Sequence, residues 1–214
     1  MLKISYVKII KIVRRCLVNV KNLLKIHSNI CPIFAQKIVA KKLKLEELGR
    51  IDIETFKSTE KIPVTIVLDN VRSMHNVGAV FRTADAFLIE KIILCGITPQ
   101  PPHREIHKAA LGATESVEWR YYQDVTEAVL DLKTLKYQLI GVEQTTDSKD
   151  VRTFKVEKNG KYALEFGNEV EGISDQILPH FDSFLEIPQL GTKHSLNISV
   201  CAGIVMWDFF RQLL

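Results

Sequence analysis

Apolar residues along this chain fall into short unbroken runs, separated by longer stretches in which they recur every three or four positions. Residues 64–68 form the first clear run, which is rich in β-branched side chains and typical of a buried strand. From Asn76 to Leu88 the spacing predicts a helix, with Asn76 as its N-cap. Strand character returns at residues 91–95. This part of the chain is therefore predicted to be a strand–helix–strand unit.

The same alternation continues towards the C-terminus. Strands are predicted at residues 117–121, 137–142, 162–166 and 183–187, and helices at residues 105–111, 124–135, near Gln176 and 196–213. Strands that alternate with helices favour one α/β domain, with a mostly parallel sheet covered by helices on both faces. We expect this domain to span residues 63–214. Residues 1–62 are predicted to be a basic extension, with a short helix between residues 43 and 56.

The charge of +4 is unevenly distributed. Residues 1–45 contain eleven Lys and Arg residues and no Asp or Glu, so residues 46–214 carry a formal charge of −7. A basic arm of this kind would suit contact with a nucleic acid or a ribosome. It would equally suit a disordered tail, an amphipathic surface helix or a stretch upstream of the true start. The sequence leaves these four interpretations open.

Composition narrows the class of protein. No apolar stretch approaches the roughly 20 residues needed to cross a bilayer, and no membrane partner is expected. The four cysteines, Cys16, Cys31, Cys95 and Cys201, lack CxxC or metal-ligand spacing. We therefore expect reduced thiols, a cytoplasmic location and no metal.

Three loops carry the candidate chemistry. The first, residues 69–78, follows the first strand and contains one glycine, so the glycine-rich turn of dinucleotide-binding and class I methyltransferase folds is absent. The second, residues 164–174, is a strand end followed by two glycines that flank two carboxylates. The third, residues 186–199, leads from a strand through a glycine-bearing loop into a helix. Such loops can clasp a ligand with backbone groups.

Together these stretches resemble the three motifs of the SpoU family of RNA methyltransferases. Residues 76–87 are similar to the first motif, residues 166–172 to the second and residues 187–199 to the third, in the family's order. The resemblance covers residues 63 to the C-terminus, and within the family it is strongest to TrmH-like enzymes. It implies a six-stranded α/β sheet with a C-terminal deep trefoil knot, a homodimer, and transfer of methyl from S-adenosylmethionine to an RNA ribose 2′-hydroxyl. No separate N-terminal RNA-binding domain is evident, which favours tRNA over rRNA as the substrate.

The resemblance also implies roles for individual residues. Arg82 is expected to activate the ribose hydroxyl. Because an arginine pKa exceeds about 12, we expect it to position and polarise the ribose rather than accept a proton. The accompanying polar residues are Asn76, Glu169, Ser195 and Asn197. The expected cofactor contacts are Gly167, Ile187 and Leu196, with Val142 and Gln144 from the preceding strand's loop.

Positive charge near these motifs supplies the expected RNA contacts. They are Arg72, Arg104, Lys108, Lys193 and His194.

Each assignment has a plainer alternative. Arg82 could be a surface arginine paired with Asp85, Asn76 and Asn197 could be ordinary helix caps, and Glu169 could be a solvated loop charge. For the whole protein the alternatives are a catalytically silent RNA-binding member of the same fold, a class I methyltransferase and a structural dimerisation module. The missing glycine-rich loop argues against the second, and the three polar motifs argue against the third.

Overall fold

The structure, a computed structural model, describes residues 40–214. Residues 51–214 form one compact unit, and the described residues up to Arg50 belong to a separate unit that contains a 3-10 turn at Leu45–Leu48. Residues 1–39, which make up most of the predicted basic arm, lie outside the described residues, so the four interpretations of that arm are not tested.

Strands and helices alternate through the larger unit as predicted. The strands are β1 Ile62–Asp69, β2 Ile89–Cys95, β3 Glu118–Tyr122, β4 Gln138–Val142, β5 Lys149–Asp150, β6 Tyr162–Phe166 and β7 Ser183–Glu186. The helices are α1 Ile53–Ser58, α2 Met74–Ala86, α3 Arg104–Ala110, α4 Ala113–Ser116, α5 Val125–Thr134 and α6 Ile198–Leu213, with a 3-10 turn at Leu178–His180.

All the strands belong to one parallel sheet with the order β3-β2-β1-β6-β4-β7-β5. The predicted number of six strands is wrong, because β5 adds a seventh at the edge beside β7. This two-residue strand lies between the predicted strands at residues 137–142 and 162–166, where the sequence pattern predicted no strand. It is too short to give an alternating pattern and is defined only by its distant partner.

Hydrophobic clusters cover both faces of the sheet, as the apolar strand runs predicted. On one face α2 and α6 pack against each other and on the central strands, through residues such as Phe81 and Phe209. On the other face α5 covers β2 and β4 through Val129 and Leu132. The resulting α/β core holds the strand ends, and the loops that follow them, in fixed positions.

Helix α2 begins earlier than the sequence pattern indicated. Its N-cap is Ser73, whose hydroxyl accepts a hydrogen bond from the Asn76 backbone N–H at 3.3 Å. The prediction that Asn76 is the N-cap is therefore wrong. Because Asn76 lies inside the first turn, its side chain is not needed to cap the helix.

A close approach ties α2 to α3. A Cβ added at Gly78 would lie 2.5 Å from the Ile106 carbonyl oxygen and 2.7 Å from Ala109 Cβ. Any larger residue at position 78 would push the two helices apart. Within residues 40–214, no helix combines the length and the apolar character that crossing a bilayer requires.

Candidate functional site

A cavity of about 360 Å³ opens at the carboxyl ends of three neighbouring strands, β6, β4 and β7. Ligands of open α/β sheets usually bind at such an edge, and this volume is in the range of small-molecule sites. The apolar part of the lining is Val142, Phe166, Leu185, Ile187, Leu196 and Ile198, and the carboxylates are Glu143, Glu169 and Glu186.

Every residue expected to contact a cofactor lines this cavity. Gly167 and Ile187 follow two of the strands, Leu196 precedes α6, and Val142 and Gln144 come from the end of β4. Gln144 also donates a hydrogen bond from Nε2 to the His194 carbonyl oxygen at 2.9 Å, which joins the loop after β4 to the loop before α6. The structure therefore brings these five residues together.

The loop after β6 is shaped by glycine. A Cβ on Gly167 would lie 2.2 Å from the Gly172 carbonyl carbon, and Gly172 has a φ of +71°, which favours glycine. Asn168 N–H donates to Gly172 O at 3.0 Å, and Gly172 N–H donates to Asn168 O at 2.9 Å. This tight loop presents Glu169 at its exposed tip.

Glu143 supports that loop from the cavity wall, a role that the sequence analysis missed. Its Oε2 accepts from Ile173 N–H at 3.3 Å, and its Oε1 accepts from Gln144 N–H at 2.9 Å. A Cβ on Gly172 would meet the same carboxylate at 2.3 Å. The position of Glu143 directly after a strand, beside two residues expected to bind cofactor, was a signal that could have pointed to it.

A polar network at the cavity joins the three motifs. Asn76 donates from Nδ2 to Glu169 Oε1 at 3.4 Å, and Asn197 donates from Nδ2 to Asn76 Oδ1 at 3.2 Å. Glu169 Oε2 also accepts from the Arg72 backbone N–H at 3.2 Å. Glu169 is therefore held by two donors, so the alternative of a free solvated loop charge does not describe it.

Two asparagines in the motifs also stabilise the local structure through hydrogen bonds. Asn197 is the N-cap of α6, because its Oδ1 accepts from Ser199 N–H at 2.9 Å and Val200 N–H at 3.4 Å. The cap interpretation is therefore correct for Asn197 but incomplete. Asn168, which the sequence analysis did not assign, donates from Nδ2 to Asn70 O at 2.8 Å and so links the second loop to the first.

Ser195 lines the cavity, but Arg82 does not. Arg82 is exposed on α2, and no ion pair joins it to Asp85 or to any other acid in residues 40–214. Asp85 instead accepts a hydrogen bond from the Ser116 hydroxyl. The alternative in which Arg82 pairs with Asp85 is thus not observed, and a single chain leaves this guanidinium facing solvent.

The residues expected to contact RNA are all exposed, and they fall into two groups. Arg72, Lys193 and His194 belong to loops beside the cavity, whereas Arg104 and Lys108 lie on α3. Arg104 and Lys108 therefore do not belong to the cavity.

Burial controls the ionisation of groups in and behind the cavity. Desolvation, assisted by the nearby Glu143 carboxylate, raises the pKa of the Cys201 thiol to about 11. Beneath the loops, burial raises the pKa of Glu165 well above its usual range, and the neighbouring Asp69 raises it further. Among residues 40–214, no cluster of His, Cys, Asp and Glu side chains is arranged to hold a metal ion.

Comparison with known proteins agrees with this geometry. The profile described as the SpoU rRNA Methylase family matches residues 63–207. A curated protein named 23S rRNA (guanosine-2′-O-)-methyltransferase, from Vibrio parahaemolyticus, is 30% identical over 179 residues, which cover 84% of this chain and 71% of that protein.

Solved structures of methyltransferases are also similar to this chain in fold and sequence. The AdoMet-bound rRNA methyltransferase from Sinorhizobium meliloti is 28% identical with a TM-score of 0.66, over 72% of this chain and 58% of that one. The TrmH/SpoU tRNA modifying enzyme of A. aeolicus is 25% identical with a TM-score of 0.65, over 75% of this chain and 79% of that one. This chain thus spans less than two thirds of the first of these structures.

Proposed function

Because this chain belongs to the SpoU rRNA Methylase family, we propose that it transfers a methyl group from S-adenosylmethionine to a ribose 2′-hydroxyl of RNA. The observation that carries the proposal is the Asn76–Glu169–Asn197 network, which joins the three motif loops at the mouth of one ligand-sized cavity. We assign residues 63–214 to the methyltransferase domain and residues 1–62 to an extension.

The cavity residues fit S-adenosylmethionine. Apolar side chains such as Phe166 and Leu185 suit an adenine ring, and Gly167 brings the backbone of the loop after β6 into the lining. The carboxylates of Glu143 and Glu186 in the lining complement a ligand that carries positive charge. When bound, S-adenosylmethionine supplies an electrophilic methyl group on a sulfonium.

The protein's part in the reaction is alignment. A ribose 2′-hydroxyl is a weak nucleophile, so its oxygen must be held in line with the methyl group while its proton passes to solvent and S-adenosylhomocysteine is left as the product. We assign Arg82 to the ribose and the adjacent phosphate, because a guanidinium donates in a planar fork that matches phosphate oxygens. Asn76, Glu169, Ser195 and Asn197 hold the motif loops in register around that oxygen.

In a single chain Arg82 lies outside the cavity. A homodimer would bring Arg82 of one subunit to the cavity of the other. Helix α6 exposes Val200, Ile204 and Trp207, and the Trp207 ring lies 5.6 Å from that of Phe87, the C-cap of α2. Contiguous exposed apolar side chains of this kind commonly mark an interface between subunits. We therefore propose a two-fold dimer through α6 in which Arg82 of one subunit completes the other subunit's site.

We also propose a deep trefoil knot in the C-terminal third of the chain, because the chain belongs to the SpoU family, whose fold contains one.

We propose rRNA as the substrate. The sequence alone favours tRNA, but the curated relative from V. parahaemolyticus bears the name of a 23S rRNA methyltransferase, and the S. meliloti structure bears that of an rRNA methyltransferase. The A. aeolicus neighbour bears the name of a tRNA modifying enzyme, so tRNA forms the second arm of the test.

The test uses methyl-labelled S-adenosylmethionine with separate pools of unmodified rRNA and tRNA. Nuclease digestion and mass spectrometry then locate the label. Ribose-methylated nucleotides from rRNA, formed equally by the surface variant Lys133→Ala, are the expected result. Label in tRNA alone would overturn the substrate class. Cofactor binding without transfer to either pool would overturn the reaction and favour the silent RNA-binding alternative.

A further inference from the structure

A second cleft, of about 450 Å³, lies beside α3 and shares no lining residue with the cofactor cavity. Its lining combines an indole, two imidazoles, a guanidinium and a pair of prolines. The residues are Pro101, Pro102, His103, Arg104, His107, Thr114, Glu115 and Trp119. Flat aromatic and cationic groups on one open cleft are the features on which proteins stack unpaired nucleobases.

Trp119 forms a fixed wall of this cleft. It lies on β3, where it pairs in register with Ile92, and its indole packs partly against the hydrophobic core while remaining partly exposed. An indole anchored on a strand loses little freedom when a ligand stacks on its exposed part. The prolines and imidazoles of the lining come from the loop before α3 and from α3 itself, and the cleft between them and Trp119 leaves room for a planar ring.

Two cationic side chains, Arg104 and Lys108, lie on α3 at the same opening. The Arg104 side chain is 91% exposed, and Lys108, His103 and His107 are exposed as well. The opposing acids are Glu115 in the lining and Glu105, which lies 3.5 Å from His75 and 3.9 Å from Arg104. Such exposed pairs contribute little, so Arg104 and Lys108 remain available to phosphate.

His103 has a defined tautomer in its neutral form. The Glu105 backbone N–H donates to His103 Nδ1 at 3.2 Å. The proton therefore resides on Nε2, where the ring can donate to a carbonyl oxygen or a phosphate oxygen. The cleft thus offers stacking surface, hydrogen-bond donors and cations together.

The cleft is rigidly connected to the proposed active site. The contact between Gly78 and Ile106 fixes α3 against α2, the helix that bears Asn76 and Arg82. A strand of RNA held at one of these places is therefore held in a constant relation to the other.

We propose that this cleft binds an unpaired nucleobase of the RNA substrate, stacked on Trp119, with the flanking phosphates on Arg104 and Lys108. The inference rests on the proposed function for the identity of the substrate, but its test does not require methyl transfer. The occupant is single-stranded RNA, and each base type can be accepted because every base has a face that stacks.

The experiment measures binding of short, fluorescently labelled single-stranded RNA to the full chain by anisotropy. A matched oligonucleotide with abasic riboses keeps the phosphates and lacks the bases. Trp119→Leu should weaken binding of the base-containing RNA by about tenfold, as expected for loss of one stacked base, and leave the abasic affinity unchanged. Arg104→Ala should weaken both. Arg120→Ala, on the opposite side of β3, is the matched control and should weaken neither.

Other results would overturn the inference. Equal losses for base-containing and abasic RNA in Trp119→Leu would exclude stacking, and unchanged affinity in both Trp119→Leu and Arg104→Ala would exclude the cleft. Thermal unfolding checks the fold of each variant. If Trp119→Leu is unfolded, Trp119→Phe and the exposed His107→Ala decide, with a partial, base-dependent loss expected in each.

Two measurements distinguish a failure of the nucleobase cleft from a failure of the proposed methyltransferase function. Normal methyl transfer with an unchanged KM for RNA in Trp119→Leu would reject the cleft and leave the proposed function intact. Base-dependent RNA binding through Trp119 without methyl transfer by the unaltered protein would reject the proposed function and leave the cleft intact.

Discussion

Asn197 donates a hydrogen bond from Nδ2 to Asn76 Oδ1 at 3.2 Å, although 121 residues separate them in the chain. Asn76 in turn donates to Glu169. Each of these residues comes from a different motif, and the bonds between them hold three loops at the edge of the cavity. The same Asn197 side chain also caps α6 through its oxygen. Its two functions use different atoms, so they can be separated by substitution.

Replacing Asn197 with Ser should keep the helix cap and lose the bond to Asn76, because a serine hydroxyl can cap but is too short to bridge the loops. We expect methyl transfer to fall by about tenfold or more, since a small displacement at a reacting centre can be that costly. The melting temperature should remain near that of the unaltered protein. Radiolabel transfer and calorimetry measure the two quantities.

The variant Asn197→Ala provides the comparison, because it loses both functions. It should add a loss of stability of about 1 kcal/mol, the usual cost of removing a cap. Full activity in Asn197→Ser would show that the bond between Asn197 and Asn76 has no catalytic consequence.

The order of strands and helices could be predicted because each element has its own local pattern of apolar residues. Contacts between distant loops have no such pattern. The network of Asn76, Glu169 and Asn197 was expected only through family resemblance, and Ser73 rather than Asn76 proved to be the cap of α2. Glu143 was missed because Ile173 N–H, 30 residues away in the chain, becomes its neighbour only when the loop after β6 folds back.

Arg82→Ala should reduce methyl transfer by about 100-fold or more, the scale of losing one donor at a reacting centre. Affinity for S-adenosylmethionine should remain unchanged, because Arg82 does not line the cavity. Arg82→Lys should remain strongly impaired, since lysine lacks the planar fork. Titration calorimetry and single-turnover transfer separate binding from chemistry, and near-normal turnover would reject the role of Arg82.

A mixing experiment tests whether the Arg82 that acts in each site comes from the same subunit or from the partner subunit. If the partner subunit supplies it, heterodimers of Arg82→Ala and Asn197→Ser each contain one intact site. Co-refolded mixtures should then exceed the activity of either variant alone. Heterodimers that form but do not exceed the more active variant would show that Arg82 acts within its own chain.

Glu165→Gln should stabilise the protein at pH 8 more than at pH 5. Glu165 is buried, and its Oε1 has no hydrogen-bond partner in residues 40–214. Burial raises its pKa above the ordinary 4.5, so between these two pKa values the folded state holds more protons than the unfolded state. The stability contributed by the protonated carboxyl is therefore lost as pH rises through the folded pKa.

Urea unfolding at several pH values measures this effect. The gain at pH 8 should be on the order of 1 kcal/mol or more, because each tenfold change in an ionisation constant between the unfolded and folded states corresponds to about 1.4 kcal/mol. The exposed Glu127→Gln is the matched control and should leave the pH dependence unchanged. An identical gain at both pH values would contradict a titration of Glu165.

Cys201 should resist alkylation although it lines the cofactor cavity. Its pKa is raised to about 11, first by desolvation and then by the charge of Glu143. Only the thiolate reacts, and at pH 8 roughly 0.1% of such a thiol is ionised, against roughly a quarter of an ordinary cysteine. Iodoacetamide should therefore label Cys201 about 100-fold more slowly than free cysteine at pH 8.

Peptide mapping by mass spectrometry distinguishes Cys201 from Cys16, Cys31 and Cys95. Glu143→Gln removes the neighbouring charge and should speed the labelling, whereas S-adenosylhomocysteine should slow it by covering the thiol. Rapid labelling of the unaltered protein at pH 8 would contradict the raised pKa of Cys201.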